Sequence, residues 1–458
     1  MRKYLLFILL SPSVAAFAQS TAGTKSAPAV SIDRGGQAGL GAIASTDDRI
    51  MALQNQVKEG SGDFARYDRL GAAYFQKARE TGDIAYYDLS EKALHRAVAL
   101  MPENSPDVDP LVDLALVYMG EHRFVEALGS TQKAIAKGSG NLTALAVEGD
   151  AYTDLGEYQQ AAAAYNAVRA LGSQISSPLN VAYIADSRVS YLTCLNGDTS
   201  GSIPLMEQAV TAALQLNIPR ENLAWLYYEW GQRYAQAGDL RHAEIAYSSA
   251  LAADPGHYRS IAGLAEVRAS QEKFDDSIEL YKSSMAILPF PQYIAELGDV
   301  YAKTGHPAEA QQQYDMVEYI GYLGTLNQVL NNRELAMFYA DHNIKLRQAV
   351  TLARNELEVR HDIYTWDTLA WVLYRNHQLP EAKEAMEKAT ALHTADPLLL
   401  FHAGEIEHAL GNDDEAERDL SRALRINPHF HVFYAQQASE TLNEISLNRQ
   451  RGASNARH

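Results

Sequence analysis

Residues His402-Ala403-Gly404-Glu405-Ile406-Glu407-His408 contain the one spacing in this chain that metal chemistry could use. On a helix, Glu405 and His408 share a face, as in one half of a carboxylate-bridged two-metal site. No second half of that kind is present, so neither a bound metal nor a cofactor is expected. His-Glu-x-x-His, Gly-x-Ser-x-Gly, Walker and dinucleotide patterns are also missing, and no catalytic residue can be named. The run Gly35-Gly36-Gln37-Ala38-Gly39-Leu40-Gly41 lacks both a preceding strand and the Gly-Lys-Ser/Thr ending of a phosphate loop. Cys194 is the single cysteine, which excludes an intramolecular disulfide or a Cys-ligated zinc site. Between Leu192 and Leu195 it reads as a small buried hydrophobe, the alternative being an odd thiol that pairs between chains in an oxidising compartment. The chain is therefore expected not to be an enzyme.

Charge narrows the partners. With 39 Lys+Arg against 57 Asp+Glu the formal charge is −18. Binding to phosphate backbones needs clustered cations, so a nucleic-acid partner is not expected. Residues 1–18 (MRKYLLFILLSPSVAAFA) read as a signal peptide. Arg2 and Lys3 precede an apolar stretch, and Ala16-Phe17-Ala18 is a small-x-small cleavage site. The apolar run, broken by Ser11-Pro12, is too short to span a bilayer, and no integral membrane segment is expected elsewhere. Export to the periplasm or beyond follows as an expectation. Residues 19–45, rich in Gly, Ser, Thr and Ala, read as a flexible linker.

From there the elements come from a repeat. Tyr227, Trp230, Gly231, Tyr234, Gly238, Ala243, Tyr247, Ala250 and Pro255 form one copy of a pattern. A shift of 34 residues gives Ile261, Leu264, Ala265, Ser277, Tyr281, Ser284 and Pro289. Ile294, Leu297, Gly298, Tyr301, Gly305, Ala310 and Tyr314 follow after 33 more. Gly149, Gly231, Gly298 and Gly404 would let the two helices of a pair approach closely. Gly156, Gly238, Gly305 and Gly411 fall where a first helix ends and positive φ is wanted. The excess of tyrosine, 26 against 11 Phe, belongs to this pattern.

The pattern resembles the tetratricopeptide repeat, a helix–turn–helix unit of 34 residues. The expanded first copy and the block Trp366-Asp367-Thr368-Leu369-Ala370-Trp371 are similar to exported bacterial members. The resemblance implies an all-α, right-handed superhelix of about ten repeats. Copies begin near residues 64, 108, 142, 183, 224, 258, 291, 330, 363 and 397, the fourth and eighth degenerate. The expected organisation is a leading helix over 46–63, a solenoid over 64–428, a capping helix over 429–448 and a disordered basic tail over 449–458.

In this family the inner face of the first helices forms a concave groove. Projection of the sequence onto it gives Asp150 and Asp154, then Trp225, Tyr228 and Gln232, then Glu266 and Asp299. Farther on come Asp367, Trp371, Tyr374 and Glu405. The Lys/Asn clamp by which some members hold a terminal carboxylate is absent. An acidic groove with aromatic clusters suits a protein or peptide ligand that is apolar and basic. The expected function is a non-catalytic binding scaffold; the alternative is a structural component of a cell-envelope or export assembly.

Overall fold

The computed structural model describes residues 45–138, 140–174, 177–327 and 332–455. The expected signal peptide, the linker through residue 44 and the last three residues lie outside them. Helix α1 (Thr46–Glu59) leads, opened by a capping box in which Ser45 and Asp48 satisfy each other's backbone. Helix pairs follow: α2 (Phe64–Thr81) with α3 (Ala85–Leu100), α4 (Asp109–Gly120) with α5 (Phe124–Ala136), and α6 (Leu142–Asp154) with α7 (Tyr158–Gln174). The fourth copy is irregular. Short α8 (Pro178–Val181) passes through a π-turn at Ala182–Asp186 into α9 (Ser187–Leu195), paired with α10 (Thr199–Leu216).

Regular pairing then resumes with α11 (Arg220–Gln236) and α12 (Leu240–Ala253), α13 (Tyr258–Ser270) and α14 (Phe274–Ile287), α15 (Pro291–Lys303) and α16 (Pro307–Asn327). The last pairs are α17 (Asn332–Asp341) and α18 (Leu346–Glu356), α19 (Ile363–Arg375) and α20 (Leu379–Ala389), α21 (Pro397–Ala409) and α22 (Asp413–Ile426). The final helix, α23 (Tyr434–Asn455), continues past residue 448 into the segment expected to be disordered. Arg449 there pairs with Asp414 and Glu417 on α22. Among the described residues there is no strand, and no helix is long and apolar enough to cross a membrane. Among the described residues the fold is all-α, built of consecutive helix pairs.

The chain divides into two compact units, residues 45–189 with 208–223 and Asn327 in the first, and 190–207, 224–326 and 332–455 in the second. Within each, the small residue of a first helix lies against a large side chain of its partner helix. A Cβ added at Gly149 would lie 2.3 Å from the Tyr165 ring, and one at Gly71 would lie 2.5 Å from Leu94. In the second unit Gly231 meets Tyr247 at 2.4 Å, Gly298 meets Tyr314 at 2.4 Å, and Gly404 meets Leu420 at 2.6 Å. Such contacts leave no room for alanine without repacking.

Each turn between paired helices uses one left-handed residue, except that between α17 and α18, which uses two, Asn343 and Lys345. Gly156, Gly238, Gly305 and Gly411 take it as the pattern predicts, and Gly197 joins them. Elsewhere His122, Glu272, Asn343 and His377 adopt the same conformation with a side chain. Gly197 and Gly238 have a second reason to be glycine. A Cβ at Gly238 would stand 2.0 Å from the carbonyl oxygen of Ile426, and one at Gly197 would stand 2.6 Å from that of His393. The second unit therefore curls until its early turns touch the ends of helices about five repeats later. Ser270 at the end of α13 donates to the His429 carbonyl at 3.0 Å, and Thr394 donates to the Leu195 carbonyl.

This contrast is testable by urea denaturation. Gly411→Ala, with open space around it and φ of 80°, should cost only the left-handed penalty, about 1–2 kcal/mol. Gly238→Ala should cost that and the overlap with a fixed carbonyl, at least about 3 kcal/mol in all. Equal losses would show that the contact between distant repeats is not held in solution.

Candidate functional site

The repeat aligns positions on the first helices of successive pairs, the helices expected to form the inner surface. Trp225, Arg259 and Gln292 occupy one place on α11, α13 and α15; Gln232, Glu266 and Asp299 occupy another, two turns farther along. The predicted site residues fall into three groups by what surrounds them.

Asp150 and Asp154 lie in the first unit and are buried. Asp150 receives two hydrogen bonds from Arg188, Nε at 2.8 Å and Nη2 at 2.7 Å, and one from the Tyr165 hydroxyl at 2.9 Å. Such a paired, buried carboxylate holds structure together and offers little to a ligand. Arg188 sits just beyond the π-turn, in the copy where the repeat pattern fades, so the sequence carries no register by which to find it.

The second group, on α19 and α21, lies beneath the C-terminal segment. Trp371 is fully buried; it stacks on His402 at 4.2 Å and donates Nε1–H to Asp341 at 2.8 Å. The half-buried Tyr374 stacks on it at 5.0 Å. Tyr434 of α23 shares the Asp341 carboxylate through its hydroxyl at 2.6 Å and stacks on Phe401 at 4.6 Å. Asp367 faces His402 Nδ1 at 2.9 Å. Glu405 accepts from Gln437 at 2.6 Å and from Thr441 at 2.8 Å, both on α23. His408 turns instead to Asp413 at 2.8 Å, so Glu405 and His408 do not converge. Among the described residues no three metal-ligating side chains meet.

The third group remains reachable. Tyr228, Gln232 and Glu266 are half-buried, and Trp225 is largely covered. Asp299 is engaged by the Tyr314 hydroxyl at 2.8 Å and by His342 at 3.0 Å. The structure adds Glu296, which accepts from Tyr281 at 3.0 Å and Gln292 at 2.8 Å. Burial pushes both the Glu266 and the Glu296 carboxyl above the ordinary range, and the charge of Glu266 raises Glu296 further. Both are half-buried and keep some solvent contact. Glu296 stands 33 residues after Gly263, and that glycine gave the sequence pattern no reason to look for an acid there.

Residues 112–174, 228–290 and 368–429 match the family model of the tetratricopeptide repeat. No curated protein matches the sequence. Solved structures similar to it include the human IFIT1 dimer with PPP-AAAA, at 12% identity and a TM-score of 0.46, covering 83% of this chain and 87% of that one. Yeast Tom70 is similar at 13% identity and a TM-score of 0.35, over 88% of this chain and 93% of its own. A tetratricopeptide repeat protein from Parabacteroides merdae is similar at 15% identity and a TM-score of 0.32, over 58% and 99%.

The two raised carboxyls make stability depend on pH in a definite direction. Unfolded, each titrates near 4.5. Folded, each holds its proton to higher pH, so the folded state binds more protons and stability falls as pH rises above that value. Glu266→Gln with Glu296→Gln should flatten this slope in denaturant titrations at pH 5 and pH 8. At pH 8 the double variant should be more stable than the parent by on the order of 1–2 kcal/mol, after allowance for the solvent both groups touch. A parent that gains stability over that interval, with the variant showing the same slope, would contradict the assignment.

Proposed function

The chain carries tetratricopeptide repeats, and we propose that it is an exported, non-catalytic scaffold that captures a protein or peptide segment on the inner surface of α11, α13 and α15. One observation carries this reading: Tyr228, Gln232 and Glu266 are reachable there, whereas the aromatic cluster of α19 and α21 is covered by α23. A preformed surface on rigid helices binds with little ordering of its own. Its unneutralised carboxyls and tyrosine faces favour an apolar, basic ligand and disfavour nucleic acid. Export rests on the pattern of residues 1–18, and places the scaffold in the periplasm or outside the cell.

A second reading, a structural part of an envelope or export assembly, is favoured by a separate feature. Ile245, Ile287, Met316, Tyr319 and Tyr322 on the second helices α12, α14 and α16 are exposed, the two tyrosines at 60%. Exposed apolar rows of this kind mark interaction surfaces.

In-cell photocrosslinking separates the two. A benzophenone amino acid at Gln232 should capture a partner, and one at Tyr319 should not. Tyr228→Ala should reduce capture at Gln232 about tenfold or more, as loss of an aromatic anchor does. Capture from Tyr319 alone would transfer the function to the second helices and to the assembly reading.

A further inference from the structure

Helix α13 carries charges of both signs in Arg259 and Glu266, and neither is held in an ion pair among the described residues. The charge of Glu229 on α11 is felt at Arg259, but Glu229 is itself paired with Arg233. Arg259, in the first turn of the helix, occupies the place held by Trp225 one repeat earlier and so faces inward. Its guanidinium lies over the rings of Tyr258 at 5.1 Å and Phe290 at 5.6 Å. Among the described residues no carboxylate pairs with it. Glu266 follows seven residues later on the same face, about 10 Å along the axis. It too lacks a cationic partner among the described residues, and Glu296 stands beside it with hydrogen bonds only from Tyr281 and Gln292.

Tyr247 adds an independent sign of a missing group. Its side chain is completely buried, yet its hydroxyl has no hydrogen-bond partner. The ring carbon bearing that hydroxyl would stand 2.7 Å from a Cβ at Gly263, which is one turn from Glu266 on α13. The hydroxyl therefore points to the acidic end of the surface. In the next repeat the equivalent Tyr281 hydroxyl finds Glu296. An unmet buried hydroxyl beside carboxylates without cations is a site short of a donor-rich ligand.

We infer that this surface binds a dipolar peptide segment, with a basic side chain seated between Glu266 and Glu296 and a carboxylate held by Arg259. The basic group would supply hydrogen-bond donors to both acids and place one polar atom near the Tyr247 hydroxyl. Tyr228 and Tyr293 would flank the aliphatic stem between the two ends. The inference rests on the scaffold reading above and specifies the ligand that reading leaves open.

Binding of small probes to the full chain tests it. The probes are acetyl-arginine amide, acetyl-arginine with its free terminal carboxylate, acetyl-Arg-Asp amide and acetyl-norleucine, followed by NMR titration. Acetyl-arginine or acetyl-Arg-Asp amide should bind most tightly, and whichever leads identifies a terminal or a side-chain carboxylate as the anionic point. Each charged contact removed should cost about tenfold. Glu266→Gln with Glu296→Gln should erase the advantage of arginine over norleucine. Arg259→Gln should erase only the advantage of the free acid over the amide, and Arg259→Lys should keep part of it. Equal affinity for all four probes, or binding untouched by the double glutamine variant, would overturn the inference. If crosslinking from Gln232 still captures a partner in that event, the scaffold reading survives; if probes bind and no partner is captured, the site stands and that reading falls.

Discussion

Everything in this molecule depends on how closely the two helices of a pair can approach. The limit is set where a glycine backbone lies directly against an aromatic ring, as Gly149 does with Tyr165, Gly231 with Tyr247 and Gly298 with Tyr314. Tyrosines at this place in the second helices also carry a hydroxyl beyond the ring, to buried or half-buried acids. Tyr165 reaches Asp150, Tyr314 reaches Asp299 and Tyr281 reaches Glu296. Phenylalanine would pack as well but remove one partner from each of those acids, which otherwise meet Arg188, His342 and Gln292. Packing and inner-surface chemistry are thus one constraint, and Tyr247 is the copy in which the hydroxyl arrives and finds no acceptor.

A second consequence follows from stacking many such pairs. Each pair rotates slightly on the last, and the rotations accumulate into curvature. In the second unit they bring Gly238 against the Ile426 carbonyl and Ser270 to His429. Curvature of that tightness covers part of the inner surface with the chain's own end. Tyr434, Gln437 and Thr441 satisfy Asp341 and Glu405, and Trp371 is buried among His402, Phe401 and Tyr434. On α11, α13 and α15 several of the corresponding residues stay half-buried, and Arg259 and Glu266, which form no ion pair among the described residues, are among them.

Much of the repeat frame could be read from residue spacing. The small residues, the glycines after first helices and the helix starts at residues 64, 142, 258, 291, 363 and 397 coincide with the structure. Where the pattern is local and strong the reading is good, because every contact that enforces it lies within about one repeat. His122, Glu272, Asn343 and His377 were not legible as left-handed residues, since only glycine announces that conformation by type. Arg259 could have been found by carrying Trp225 forward one repeat. Arg188 could not, because the π-turn at Ala182–Asp186 breaks the count before it.

By itself, the sequence determined the helix pairs and their close packing. These properties come from contacts between residues about 15 to 35 positions apart, and the repeat writes them out many times over. Only the tertiary structure decided which inward residues meet solvent. Trp371 and Glu266 hold comparable places in their repeats, yet one is sealed beneath α23 and the other is only half-buried. That difference depends on small rotations summed over several repeats, and on contacts such as Gly197 with His393 that no single repeat encodes. The physical reason is one of range: periodic spacing specifies neighbours, while burial on a curved surface is set by residues a full turn away.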